Sequence, residues 1–329
     1  MKIVRKGSLS EADIKDWLVA LRGNPYVPES GFDVTAVFRA RIGGTDDYYF
    51  AGVNVENIDH RLSTHGEEGA ISAMVTALGP SAEIVEGWVM GAPRALKAGD
   101  DAPLAKLLAS CCGKCRQQIA GFAGADVKIH SLSLAGTSKT TTVGAFLPDP
   151  FTFRDFMPEG TARNGAGKTP SLEEAEKRIL RKGPLSDAEV VAWLRELSSL
   201  DTASGISQSV VVKLGNGFCV AGVKIEEAAF VSINAVQGAL ASANAAFGHQ
   251  SVGEVLVYTK DRGAGKIPQG SFGTLTLSAL QSLWQVSESF EVPVKIVQAD
   301  GGMTEMTWAE ACAKAPTSAR PFSERTPKP

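Results

Sequence analysis

Long apolar runs are missing from this 329-residue chain. None approaches the roughly 18–20 residues that cross a bilayer, and no apolar run follows the basic start Met1-Lys-Ile-Val-Arg-Lys-Gly. No membrane partner is expected, and the expected location is cytoplasmic. An excess of positive charge is missing too: 33 Lys and Arg stand against 36 Asp and Glu, with no basic cluster. A surface that tracks a phosphate backbone needs such a cluster, so a nucleic acid polymer is not the expected partner and a small or neutral substrate fits better. Cysteine is scarce and odd in number, five in all, which does not make a disulfide framework. What remains, 44% hydrophobic and 21% charged residues, is the composition of a globular protein long enough for two domains.

The chain is written twice. Leu9-Ser-Glu-Ala-Asp-Ile-Lys-Asp-Trp17-Leu18 returns as Leu185-Ser-Asp-Ala-Glu-Val-Val-Ala-Trp193-Leu194, and Ala51-Gly-Val-Asn-Val-Glu56 as Ala221-Gly-Val-Lys-Ile-Glu226. Gly69–Met74 matches Gly238–Ala243, give or take one residue, and Val127–Ile129 matches Val294–Ile296. Matches in one order and at similar spacing mean a duplicated domain. The expected division is a first domain at 1–151, a linker at 152–183 and a second domain at 184–329. Pro158–Pro170 is rich in Gly and Pro and reads as linker; Gly167-Lys168-Thr169 lacks the upstream glycine of a phosphate loop, having Ala162 there. Ser171–Arg181 carries Glu and Lys at helical spacing, a short solvated helix.

Within the first half, 33–41 alternates as a strand and 48–53 suits its hairpin partner. Residues 70, 71, 74, 75 and 78 form a helical stripe over 67–78. Strands at 84–89 and 127–132 flank a second helix at 115–122. Strands separated by helices predict an α/β domain, its mixed sheet covered on both faces in three α/β/α layers. These periodicities alone suit an unrelated α/β domain equally well.

Chemistry concentrates at two predicted helix starts, His65-Gly-Glu67 and Cys112-Gly-Lys-Cys115-Arg-Gln117. Cysteines three apart at a helix start can point the same way, and the helix dipole with its free N–H groups favours thiolate. One His and two Cys leave a fourth position open, the pattern of a catalytic rather than a structural zinc. His65, Cys112 and Cys115 are therefore the expected ligands of one Zn²⁺ per chain. Shifting the pair back by one would require Lys114 as a ligand, so Cys111 is a neighbour. Arg116 is placed to offset thiolate charge, and Glu67 to shuttle protons from a metal-activated water. His60, His130 and His249 have no motif around them, and Cys219 and Cys312 read as buried inert thiols.

The H-x-E with C-x-x-C arrangement is the signature of zinc deaminases, and the sequence resembles the cytidine deaminases among them over about 9–151. Ser30-Gly-Phe32-Asp-Val34 is similar to the family's S-x-F-x-V, Gly52-Val-Asn54-Val-Glu56 to its G-x-N-x-E, Cys115-Arg-Gln117 to its C-R-Q, and Leu147–Phe151 to its closing L-P-x-x-F. The resemblance implies the duplicated deaminase fold and a zinc hydrolase of pyrimidine salvage and nucleoside metabolism, acting on a cyclic amidine. Its reaction is hydrolytic deamination of cytidine or deoxycytidine to the uridine and ammonia, with Glu67 carrying protons. It further implies that Phe32 lines the base pocket, Asn54 and Glu56 bind ribose, and the Gly66 N–H binds the base carbonyl. It implies a homodimer in which Phe151 reaches the neighbouring subunit's site. Gly66 stands where the family usually has Ala, and Cys111 where it has Pro; both leave room for a modified cytidine or other nucleoside as substrate. A zinc-stabilised binding protein without activity is the reading from another class.

The second half, with Ala228-Ala-Phe230 and Gln237-Gly-Ala-Leu240, resembles the inactive domain of the family's two-domain, homodimeric branch. Ala235 and Gln237 are expected opposite His65 and Glu67, and Ala279 and Ser282 opposite Cys112 and Cys115. All ligands are gone, so its expected role is structural.

Overall fold

The computed structural model describes residues 2–44, 46–152, 169–199, 206–228, 232–261, 275–287 and 289–314. Phe230 and half of the predicted linker, including Gly167 and Lys168, lie outside them.

In the first half the order is β1 (Val4–Lys6), α1 (Glu11–Leu21), β2 (Phe32–Arg41), β3 (Tyr48–Val53), α2 (Gly66–Leu78), β4 (Glu83–Pro93), α3 (Gly113–Phe122), β5 (Ala123–Leu132), β6 (Ser138–Thr142) and α4 (Val143–Phe146). After α5 (Leu172–Ile179) the same order repeats: β7 (Leu180–Lys182), α6 (Asp187–Leu197), β8 (Ile206–Leu214), β9 (Phe218–Val223), α7 (Ala235–Phe247), β10 (Val252–Asp261), α8 (Leu277–Ser287), β11 (Val294–Val297), β12 (Met303–Met306) and α9 (Trp308–Lys314). Each half builds a six-stranded mixed sheet, ordered β1-β3-β2-β4-β5-β6 and β7-β9-β8-β10-β11-β12. The parallel pairs are β4 with β5 and β10 with β11, each joined by a helix as a parallel crossover requires.

Successive strand side chains point to opposite faces. Val34 packs toward Gly66 at the start of α2, while Thr35 Oγ1 donates to the Leu18 carbonyl of α1 at 3.2 Å, so helices cover both faces of the sheet. The repeat carries its own copy of that contact, Ser209 Oγ to the Leu194 carbonyl of α6 at 2.8 Å. The α/β architecture in three layers, written twice, is as the sequence predicts.

One hydrophobic core runs through both halves. Every residue of α2 is buried, although the predicted stripe covered one face. The other face meets α7, itself buried along nearly its whole length, and Gly238 of α7 rides against Ser72. Residues 172–182, within the predicted linker, fold: β7 pairs with β9, and Arg178 on α5 donates to the Ala77 carbonyl at the end of α2. The predicted solvated helix is wet on one face only, where Lys177 pairs with Glu173 at 2.5 Å; Ala175 and Ile179 are buried. Cys219 is buried and Cys312 half-buried. Among the described residues no helix is long and apolar enough to cross a membrane.

The structure corrects the register between the halves. A Cβ on Gly52 would lie 2.1 Å from Ala70 N and 2.2 Å from Gly66 O; on Gly222 it would lie 2.3 Å from Ala235 O and 2.5 Å from Ala239 N. The same close approach of helix to strand therefore sets Gly66 opposite Ala235, hence His65 opposite Asn234, Glu67 opposite Val236 and Glu68 opposite Gln237. Likewise Cys112 caps α3 and Thr276 caps α8, its Oγ1 accepting from Ala279 N at 3.2 Å. Thr276 and Ala279, not Ala279 and Ser282, stand at the cysteine positions. Runs of Gly and Ala tolerate a slip in sequence matching; a helix cap does not. None of the three residues opposite His65, Cys112 and Cys115 (Asn234, Thr276 and Ala279) is a His or a Cys.

Candidate metal centre

Two helix N-termini converge. His65 is the N-cap of α2, Cys112 the N-cap of α3, and Cys115 lies in the first turn of α3. Cys112 Sγ and Cys115 Sγ each lie 3.3 Å from His65 Nδ1, and the three ligand atoms all fall within 4.8 Å of one another. Tetrahedral bonds of about 2.0–2.1 Å to nitrogen and 2.3 Å to sulfur put two such ligand atoms about 3.5 Å apart. One nitrogen and two sulfurs are borderline-soft donors, and three of them leave a position open, so the residues fit a catalytic zinc. Among the described residues this is the one group of His, Cys, Asp and Glu clustered as metal ligands.

The protonation of the three thiols reflects crowding at a place built for a cation. The Cys115 S–H donates to Cys112 and, with His65, holds the Cys112 thiol down at about 3. That same bond, then burial, pushes Cys115 well above the ordinary thiol value. Burial also raises Cys111, which stays an S–H donor and bonds the Glu67 carboxylate. Glu67 is itself buried beside the cluster, and desolvation raises its carboxyl above the usual range. His65 is raised by its bond to Cys112. A divalent cation would reverse this ordering by favouring both thiolates at once.

Of the remaining predicted residues, Gly66 opens α2 and Arg116 lies in the first turn of α3, while Phe32, Asn54 and Glu56 bond and pack along β2 and the loop before it. Val34 O lies 3.0 Å from where a Cβ on Gly66 would be, so β2 runs too close to α2 for a side chain there to fit without adjustment. Asn54 spends its amide on β2: Oδ1 accepts from Val34 N at 2.8 Å and Nδ2 donates to Phe32 O at 3.0 Å. The Phe32 ring packs at Gly91, with Ala109 beside it. Glu56 accepts from the backbone N–H groups of Glu29 and Ser30, at 3.0 and 3.1 Å, and from Ser30 Oγ. Arg116 donates to Cys111 O at 2.8 Å, Phe146 O at 3.1 Å and Ser110 Oγ at 3.0 Å, which fixes the loop entering Cys112. Gln117 clamps the Phe151 backbone from both sides, at 2.6 and 3.2 Å, and leaves the Phe151 ring 52% exposed.

Glu68, beside the candidate ligand His65, and Gln285 of the second half gave no separate signal in the sequence. Glu68 accepts from His65 N, Gln118 Nε2 and Lys114 Nζ, each at 2.9 Å. An acid at the third position of a helix is a capping signal, and nothing in the sequence marks its reach to α3. The second half also touches the loop leading to His65: Gln237 Nε2 donates to Leu62 O at 2.7 Å, and Gln285 Oε1 accepts from Ile58 N at 3.1 Å.

No family model matches the chain. A curated cytidine deaminase of Sporosarcina psychrophila is 29% identical over 134 residues, 41% of this chain and 85% of that one. Similar solved structures include the cytidine deaminases of Burkholderia pseudomallei (25% identity, 44% of this chain, 100% of that one, TM-score 0.34) and Mycobacterium leprae (26%, 43%, 100%, 0.32). By its motifs and by this curated relative, the chain is similar to the cytidine deaminases over a length close to one of its two halves.

Proposed function

We propose that the chain is a zinc-dependent hydrolase that deaminates cytidine or deoxycytidine, giving the uridine and ammonia. One observation carries the reading: His65 Nδ1, Cys112 Sγ and Cys115 Sγ converge beside a buried carboxyl, Glu67. Its similarity to the curated cytidine deaminase supports the choice of substrate. In this reading His65, Cys112 and Cys115 hold one zinc per chain. Zinc bound there would supply Lewis acidity, which lowers the pKa of a water toward about 7.

Glu67 carries the protons. Its carboxylate takes one proton from the attacking water and delivers it to the ring nitrogen, then takes a second from the new C4 hydroxyl and delivers it to the amine as the C4–N bond breaks. The S–H of Cys111 orients it. The Gly66 N–H and the Phe32 ring hold the base. Asn54 acts through the β2 backbone it braces, and Glu56 faces the ribose side. Arg116 holds the 110–112 loop beside the ligands. The catalytic domain is 1–151, 152–183 connects it as far as β7, which joins the second sheet, and that strand with 184–329 makes a degenerate domain that braces the first. The working form is a cytoplasmic homodimer, with the exposed Phe151 ring reaching the neighbouring site; neither nucleic acid polymer nor membrane takes part.

A modified cytidine is the second reading, favoured by Cys111, whose thiol meets Glu67 where the family has a proline. The test is zinc content of the purified chain with turnover on a nucleoside panel including N4-substituted cytidines. Cytidine or deoxycytidine as best substrate with about one zinc per chain is expected. A metal-loaded protein inert toward every nucleoside sinks the proposal. Glu67→Gln should end turnover and keep the metal.

A further inference from the structure

We propose that Glu68 is the positioning residue that registers the two ligand-bearing helices, acting through Lys114 and Gln118; this rests on the zinc reading above. One carboxylate spans both helices. Its Oε2 accepts from the backbone N–H of the ligand His65, and its Oε1 accepts from Gln118 and pairs with Lys114, all at 2.9 Å. Lys114 sits between the two cysteine ligands, Gln118 lies one turn beyond Cys112–Cys115, and Lys114 Nζ also reaches Ser63 O at 3.4 Å, two residues before His65.

Helix capping does not account for this arrangement. Glu68 is 1% exposed with its cation partner Lys114 half-buried, and burying a carboxylate this way is seldom more stabilising than apolar residues of the same volume. The duplicated half supplies the control. There Gln237 caps α7 without charge, its Oε1 accepting from Asn234 N at 3.2 Å. The α8 residues at the positions of Lys114 and Gln118 are Ser278 and Ser282; Ser282 Oγ donates to Ser278 O at 3.0 Å within its own helix. The capping leg thus exists in both halves, and the leg to the second helix only where ligands exist. Metal sites need their donors within a few tenths of an ångström of the ideal distances, and outer residues that orient ligands set that tolerance.

The experiment measures zinc affinity of the full chain by chelator competition, with the ligand-field spectrum of the cobalt-loaded protein and the melting midpoint of the metal-free protein. Glu68→Gln should weaken zinc binding by about 10- to 100-fold and alter the cobalt spectrum, while the metal-free midpoint moves by only ~5 °C or less. Lys114→Met and Gln118→Met leave the cap in place and should weaken zinc in the same direction, so the test survives a Glu68 variant that fails to fold. Zinc affinity within about twofold of wild type in all three variants overturns the proposal, as does an affinity loss that only tracks the metal-free midpoint. A wild-type chain that binds no zinc overturns the zinc reading itself, and this inference with it.

Discussion

The two halves share strand order, one parallel strand pair, and a glycine (Gly52 or Gly222) beneath the first turn of a buried helix. They differ at the residues that begin their helices. His65, Cys112 and Cys115 in one are Asn234, Thr276 and Ala279 in the other, and Glu67 is Val236. Cys112 starts α3 without a side-chain cap bond, whereas Thr276 Oγ1 accepts from Ala279 N at the start of α8, and both helices form. The core of the sheet and of α2 and α7 is untouched by the exchange. The proposed ligand positions thus vary between two halves of one fold, whereas the glycines do not.

The sharpest way to break the comparison is to give the first half the second half's residue. His65→Asn should abolish zinc retention and lower nucleoside turnover by on the order of a thousandfold or more, with circular dichroism unchanged. Loss of the fold on that change would mean that the ligands and the scaffold are not separable. Next in size are the shared glycines. Gly52→Ala and Gly222→Ala should each cost about 3 kcal/mol or more in chemical unfolding, because backbone atoms rather than flexible side chains occupy the space. Gly66→Ala meets Val34 O at 3.0 Å and should cost less than about 1.5 kcal/mol. A Gly222→Ala protein as stable as wild type would show that the second half is loosely packed.

Thiol chemistry separates the halves more gently. In metal-free protein Cys112, exposed and held as thiolate at about 3, should alkylate at least about tenfold faster than the buried Cys219, and added zinc should protect it. Equal rates, followed by mass spectrometry, would contradict the electrostatics described for the cluster. The smallest effect belongs to the second half. Burial raises the Glu254 carboxyl, but Lys213 at 2.6 Å and Lys295 at 2.5 Å outweigh it, and the net shift is below 4.5. The folded chain then binds fewer protons than the unfolded one, so this contribution is present above pH 4.5 and is lost as pH falls through the lowered folded value. Glu254→Gln should destabilise by about 1 kcal/mol at neutral pH, and by much less in acid.

Much of this was legible because it is local. Alternation over 33–41 and 48–53 became β2 and β3 almost to the residue, and the stripe over 67–78 became α2. The stripe did not reveal that both faces of α2 are buried, since what covers the second face, α7, comes from the other half. Asn54 was legible as a motif residue, yet its amide spans Phe32 and Val34, a contact set by the register of β2 against β3. Glu68 stood in plain sight next to Glu67. Its reach across to α3 depends on how two helices meet, which no spacing within 65–68 encodes.

The sequence by itself determined the duplication, the three proposed ligand residues, the acid beside them and the half from which such residues are missing. Those follow from side-chain chemistry and from short periodicities, which a chain carries whether or not it is folded. Only the tertiary structure decided the pairing of His65 with Asn234, the meeting of His65 Nδ1 with two sulfurs, and the bridge at Glu68 between ligand-bearing helices. Distance between helices and loss of solvent are properties of packing across the core, so they arise only once residues far apart in the chain have come together.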